Sequence, residues 1–285
     1  ICSASSPGSS VPEFPGMSPG VLADVLVLPY NDLEESDRLI RKYGEDLACL
    51  IMEPIASSFG YVPGKLEFLR GIRELASELG ILLVFDEVQS FRVAPGGAQE
   101  RFGVVPDITA LGKIVGGGMP AGAFGGREDI MALFDPTNGG AVVPHAGTTN
   151  ANPMTMVAAE ATLSSLTPEV YERLDSLGSM LRGKLRAVFD EFDVPAQVTG
   201  VASLFGVNFT SEEITDYRSV VRGDQEMKQL LFLGLINEGV LLQNRGAGAL
   251  CTLTTDSEVD TLVDATRRVV QRARDKGVEV VTWTV

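Results

Sequence analysis

Apolar residues in this chain follow two rhythms. ACLIMEPI (Ala48 to Ile55) and ILLVF (Ile81 to Phe85) are short unbroken runs, which read as strands buried on both faces. Between Gly64 and Gly80, Leu66, Leu69, Ile72, Leu75 and Leu79 recur at near-helical spacing and predict an amphipathic helix. VLADVLVLPY (Val21 to Tyr30) predicts a further strand, stopped by Pro29. The segment from Asn31 to Leu47 predicts a helix capped by Asn31, acidic in its first turn and basic in its last, the polarity that a helix dipole favours. ITALGK (Ile108 to Lys113) and AGAFGG (Ala121 to Gly126) are two more short strand candidates, separated by GGGMP. Strands alternating with helices at this spacing predict an α/β unit with a mostly parallel sheet.

Beyond Asn152 the pattern turns helical, with a break at Thr167-Pro168 where a second helix should start. QVTGVASLFGVNFT then predicts a hairpin, MKQLLFLGLINEGV a helix ending at Gly239, and ALCTLT (Ala249 to Thr254) a strand. Thr255 and Glu258 have capping-box spacing ahead of a long amphipathic helix through Arg274. The division expected is a large domain over residues 1–166 and a smaller α+β domain over residues 167–285.

Composition narrows the chemistry. Hydrophobic residues make up 45% and charged residues 21% of 285, an ordinary globular profile. A net charge of −15 disfavours a nucleic-acid backbone or an anionic bilayer as partner, and no apolar run is long enough to span a membrane. Three scattered cysteines make no disulfide framework, which points to a reducing cytoplasm. With His145 as the sole histidine, a histidine-rich metal site is excluded. The opening ICSASSPGSS has neither a starting Met nor the plan of a signal peptide, so a piece of a longer enzyme is expected.

In parallel sheets, chemistry gathers where strands end. Glu53, Asp86 and Lys113 each close a predicted strand. Asp86 would be held in low dielectric and seek a cation. Lys113, amid apolar neighbours, would be a usable amine nucleophile through desolvation. A buried Asp86–Lys113 ion pair, or a lysine reaching solvent, explains the same residues. Glu87 points away from Asp86 along the strand and reads as a salt-bridge or helix-cap group.

The words around these residues are more specific. DEVQSFR, then PDITALGKIVGGGMPAGAFGG, then HAGTTNANP resemble, in this order and over nearly the whole chain, the class III aminotransferases of fold type I. The resemblance implies pyridoxal 5'-phosphate as cofactor, a seven-stranded-type sheet and a homodimer with a shared active site. It assigns Lys113 to the Schiff base and proton shuttle, and Asp86 to the pyridine nitrogen. It places Val88 against the ring, Gln89 on the ring oxygen, and Thr148 at the cofactor phosphate of the neighbouring subunit. His145 becomes a structural or interface residue, since the lysine already transfers the proton, and Glu53 a supporting one. The Ser/Gly-rich phosphate cup and the ring-stacking aromatic of the family have no counterpart in this chain.

Within the family the sequence is similar to glutamate-1-semialdehyde aminomutase and to β-amino-acid aminotransferases. The aminomutase pattern carries a glycine before Phe-Arg that DEVQSFR lacks, and the following APGG suits the aminotransferases. Arg245, in a glycine-rich turn, could give a substrate carboxylate a bidentate grip, and similar β-amino-acid aminotransferases have an Arg-Gly at this place; a solvated loop arginine explains it equally. Arg92 is a weaker candidate for the same role. The expectation is an aminotransferase passing an amino group from an amino acid, a β-amino acid by preference, to a 2-oxo acid. The alternatives are the aminomutase and a cofactor-free domain that keeps the fold.

Overall fold

The computed structural model describes residues 2–3, 8, 10–12, 14–137 and 139–277. Helix α1 (Leu33–Tyr43) starts at Asp32, whose carboxylate accepts the Glu35 N–H at 3.0 Å. Asn31 was the expected cap, but it stands at φ +62° with another task. Its amide donates to the carbonyls of Pro63 and Thr215 and accepts from Lys65 N–H, joining three segments. Val21 to Tyr30 forms no strand. Ser18 and Pro19 start a short helix, Pro19–Ala23, as a capping serine before proline favours. The stretch after it shares single bonds such as Gly8 N–H to Val27 C=O rather than a ladder.

Strand β1 (Cys49–Met52) leads through a small hairpin (Ile55–Ala56 with Val62–Pro63) to α2 (Leu66–Leu79), which Gly80 ends in the left-handed conformation. Strand β2 (Leu82–Asp86) lies parallel to β1. After α3 (Gly97–Phe102) comes β3 (Ile108–Gly112), parallel to β2, and then β4 (Gly122–Gly126), antiparallel to β3. The sheet order is β1-β2-β3-β4, four strands among the described residues, mostly parallel.

Leu83 and Phe85 of β2 are fully buried against Leu69, Ile72 and Leu75 of α2. Leu82, Val84 and Asp86 face the other way and are half-buried, while Ile51 on β1 is 69% exposed. Burial on both faces, expected from the unbroken apolar runs, therefore holds for one face only in the described chain. α1 and α2 share the core on that face with Leu50, Leu83 and Phe85.

Helix α4 (Pro153–Ser165) is apolar yet exposed: of its residues only Thr155 is buried, and Met154 and Val157 are about two-thirds open. Helix α5 (Pro168–Glu191) opens at Thr167-Pro168 as expected. Strands β5 (Gln197–Thr199) and β6 (Leu204–Asn208) form the expected hairpin. Helix α6 (Gln225–Asn237) leads to β7 (Ala247–Ala249), which pairs with β6. The last strand was expected at Ala249 to Thr254. There the chain turns instead, with Thr254 N–H on the Cys251 carbonyl and Cys251 N–H on Thr254 Oγ1. Helix α7 (Asp256–Asp275) follows behind the Thr255/Glu258 capping box. A second core joins Leu181, Leu185 and Phe189 of α5, Phe205 and Val207 of β6, Leu231 and Leu235 of α6, and Val269 of α7. No helix among the described residues is long and apolar enough to cross a membrane.

Candidate active site

Adjacent carboxylates at the end of β2 have opposite environments. Asp86 is half-buried and spends one oxygen, Oδ1, on the N–H of Val88 at 3.0 Å. Glu87 is fully buried and accepts from the backbone N–H groups of Ala98 and Gln99, the Gln99 side chain and Ser90 Oγ. Two of those donors are the otherwise unpaired N–H groups of the first turn of α3, so Glu87 caps that helix from a distance. Gly97 makes room for it: it has φ +79°, and a Cβ there would lie 2.6 Å from Glu87 Oε2. Gln99 also donates to Thr109 Oγ1, tying the cap to β3.

Lys113 follows β3 directly and has φ +50°, a left-handed backbone that costs an L-residue energy and is retained where surroundings enforce it. Its side chain is exposed and makes no hydrogen bond among the described residues, which corrects the expectation of an apolar enclosure. Glu53 lies across from it at the end of β1, with its Oε2 on Ser57 N–H at 3.0 Å. Burial pushes the Glu53 carboxyl above its ordinary range; the Ser57 bonds pull it back, Asp86 raises it further and Lys113 lowers it. The parallel register of β1, β2 and β3 sets Glu53, Asp86 and Lys113 at three neighbouring strand ends, where the Glu53 carboxyl feels the charge of the other two. Val88 packs there too, its Cγ1 3.3 Å from where a Cβ on Gly112 would sit.

The turn after Lys113 explains its glycines. Gly117 has φ +59°, and a Cβ there would stand 2.1 Å from the Ala158 carbonyl oxygen of α4. A side chain would push α4 off the lysine segment. Gly117→Ala is expected to destabilise the fold by about 2 kcal/mol, from left-handed strain and overpacking together. Thermal unfolding measures it, and an unchanged melting temperature would show that α4 does not rest on this turn.

The other expected residues lie around this centre. Gln89 is half-buried just past Val88. Thr148 is exposed in the turn ahead of α4, whose cap is Asn152. His145 packs edge-on to Phe124 and Phe134, in keeping with a structural role. Arg245 is exposed and reaches Ser58 C=O at 3.4 Å, beside the Glu53–Ser57 loop. Arg92 is tied inward instead: it donates to Ser203 Oγ and to the Leu250 carbonyl, and burial lowers its pKa. It joins the β2 loop to the second core. Two buried cations escaped the sequence reading, Arg182 on α5 and, nearer the site, Lys228 on α6. Its signal was a lone lysine on the face shared by Leu231 and Leu235.

Residues 6–254 match the family model described as aminotransferase class-III. The chain belongs to the class-III aminotransferase family. Among class-III relatives, β-phenylalanine transaminase of Variovorax paradoxus is 42% identical over 85% of this chain and 56% of its own length. Glutamate-1-semialdehyde 2,1-aminomutase 1 of Staphylococcus epidermidis is 37% identical over 92% of this chain and 61% of its own. The crystal structure of an omega-transaminase from Sphaerobacter thermophilus superposes with a TM-score of 0.90 at 41% identity, covering 93% of this chain and 61% of that one. The chain thus spans between 56% and 61% of the length of these proteins.

Proposed function

We propose that this chain carries the strand-end chemistry of a pyridoxal 5'-phosphate-dependent aminotransferase that passes an amino group from a β-amino acid to a 2-oxo acid. The observation that carries this reading is the meeting of Lys113, Asp86 and Glu53 at three adjacent strand ends. The residues fit the cofactor: an exposed lysine amine, a carboxylate with one oxygen unspent among the described residues, and Val88 beside them to pack on a flat ring. Pyridoxal phosphate supplies an aldehyde that condenses with amines and a ring that takes up electrons from the amine-bearing carbon. Lys113 Nζ would hold the aldehyde carbon and, once released, accept and return the proton of the donor's amine-bearing carbon. Asp86 would keep the pyridine nitrogen protonated. Gln89 would reach the ring oxygen, and Arg245 would grip the donor's carboxylate.

The same reading has a second copy covering the exposed apolar face of α4, so that Thr148, just ahead of that helix, reaches the partner's phosphate site. A buried apolar face of this kind is the usual driving force for homodimers. The cytoplasm suits the exposed, unpaired Cys49 and Cys251.

A product balance tests the reaction. Turnover of a β-amino acid is expected to require an added 2-oxo acid such as 2-oxoglutarate and to yield one equivalent of the new amino acid. Amino transfer within a single molecule and without the oxo acid would assign the aminomutase reaction instead. A full-length protein without the cofactor's visible absorption would overturn both.

A further inference from the structure

Lys228 is only 8% exposed, on the face of α6 that buries Leu231 and Leu235. Its Nζ donates to Asn208 Oδ1 at 2.6 Å. Burial pushes its ammonium down to about 8. An apolar side chain would fill this place without that desolvation. The polar group therefore needs a reason. Asn208 is 1% exposed, and its Nδ2 has no hydrogen-bond partner among the described residues. That nitrogen faces Gly60, where a Cβ would stand 2.7 Å away.

Two turns meet at this pair. One is Ser57–Gly60, closed by Gly60 N–H on Ser57 C=O, with Gly60 at φ +102°. It is the continuation of the Glu53 strand end, and the Gly60 carbonyl accepts from Thr199 Oγ1 on β5. The other is Gln243–Gly246, closed by Gly246 N–H on Gln243 C=O, with Gly246 at φ +72°. The Lys228 stem lies beneath that turn: its Cγ is 3.7 Å from the place a Cβ on Gly246 would take. Between the two turns runs the Arg245 contact to Ser58 C=O, its one bond among the described residues and a long one for a group with five N–H donors.

We propose that Lys228, bonded to Asn208 under the Gly60 turn and packed under Gly246, is the positioning residue that sets Arg245 over the Ser58 turn for a carboxylate. The inference rests on the reading of Arg245 as the carboxylate grip. A buried polar pair specifies one register of the two turns, which an apolar filler would leave free to slide.

The holoenzyme tests it with two donors, a β-amino acid and the corresponding amine lacking the carboxylate. Lys228→Met is expected to raise KM for the amino acid about tenfold, with kcat and the amine's KM within twofold of wild type. Lys228→Gln, which keeps a donor to Asn208 on a shorter stem, is expected to give about threefold and serves where the methionine variant does not fold. Arg245→Ala is expected to raise the amino acid's KM further, and the double variant with Lys228→Met to be no worse than Arg245→Ala alone. An effective Arg245→Ala beside Lys228 variants that change neither donor, or both alike, overturns the positioning role and leaves the grip standing. An Arg245→Ala without effect on the amino acid's KM overturns the grip, and the positioning role with it.

Discussion

Lys113→Ala is expected to lower turnover on the order of 10³-fold or more, because positioned proton transfer alone is worth about 10²–10⁴-fold. The amine here is exposed and makes no hydrogen bond among the described residues, so deleting it removes chemistry and little packing. The fold should therefore survive, with stability within about 0.5 kcal/mol, as for most surface substitutions. Its backbone at φ +50° is an added constraint that alanine also meets at a cost, and Lys113→Gly is the control that relieves it. Lys113→Arg should not rescue, since a guanidinium stays protonated and cannot serve as nucleophile or base. Initial rates at saturating donor, with thermal unfolding alongside, make the measurement. A Lys113→Ala variant keeping a tenth of wild-type turnover would remove the lysine from the reaction.

Much of this site was legible because its positions are dictated by strand ends. Glu53, Asp86 and Lys113 close three short apolar runs, and the parallel register of β1, β2 and β3 sets those ends side by side. The Thr255/Glu258 box and the Thr167-Pro168 break were equally plain, since capping is settled within four residues of chain. The Asn31 expectation failed because it relied on local capping preference alone. Its neighbour Asp32 caps equally well, and Asn31 is drawn off by Pro63, Thr215 and Lys65, partners distant in sequence. The same limit hid Lys228, whose meaning depends on Asn208 and Gly246 rather than on its own helix.

Burial was the weaker inference. An unbroken apolar run says that both faces avoid water in the finished protein, not what covers each face. Here α1 and α2 cover one face of β1 and β2, while Ile51 and the Lys113 side chain stand open. The expected enclosure of Lys113 failed for this reason, although its position beside Asp86 and Glu53 did not.

Asp86 and Glu87 are adjacent in sequence and should separate cleanly on mutation. Asp86→Ala is expected to lower turnover about 10²–10³-fold, the scale of losing one fixed electrostatic group in a site. It gives up one bond to Val88 N–H from a half-buried side chain, so its melting temperature should stay within about 2 °C of wild type, a loss below about 1 kcal/mol at this size. Glu87→Ala should do the reverse. It strips four donors of their acceptor, two of them N–H groups of the first turn of α3, and leaves the Ala98 N–H and Ser90 hydroxyl buried without it. A lost helix cap costs about 1 kcal/mol and each buried orphan donor about 1–3 kcal/mol. A net loss of about 3 kcal/mol follows, a fall of about 6–12 °C in melting temperature. Glu87→Gln keeps one acceptor oxygen and should lose roughly half as much. The turnover of Glu87→Gln, measured well below its melting temperature, should remain within about threefold of wild type, since Asp86 keeps its strand-end position through the β2–β3 ladder. Near-wild-type stability in Glu87→Ala, or a melting loss in Asp86→Ala larger than that of Glu87→Ala, would reverse the two assignments.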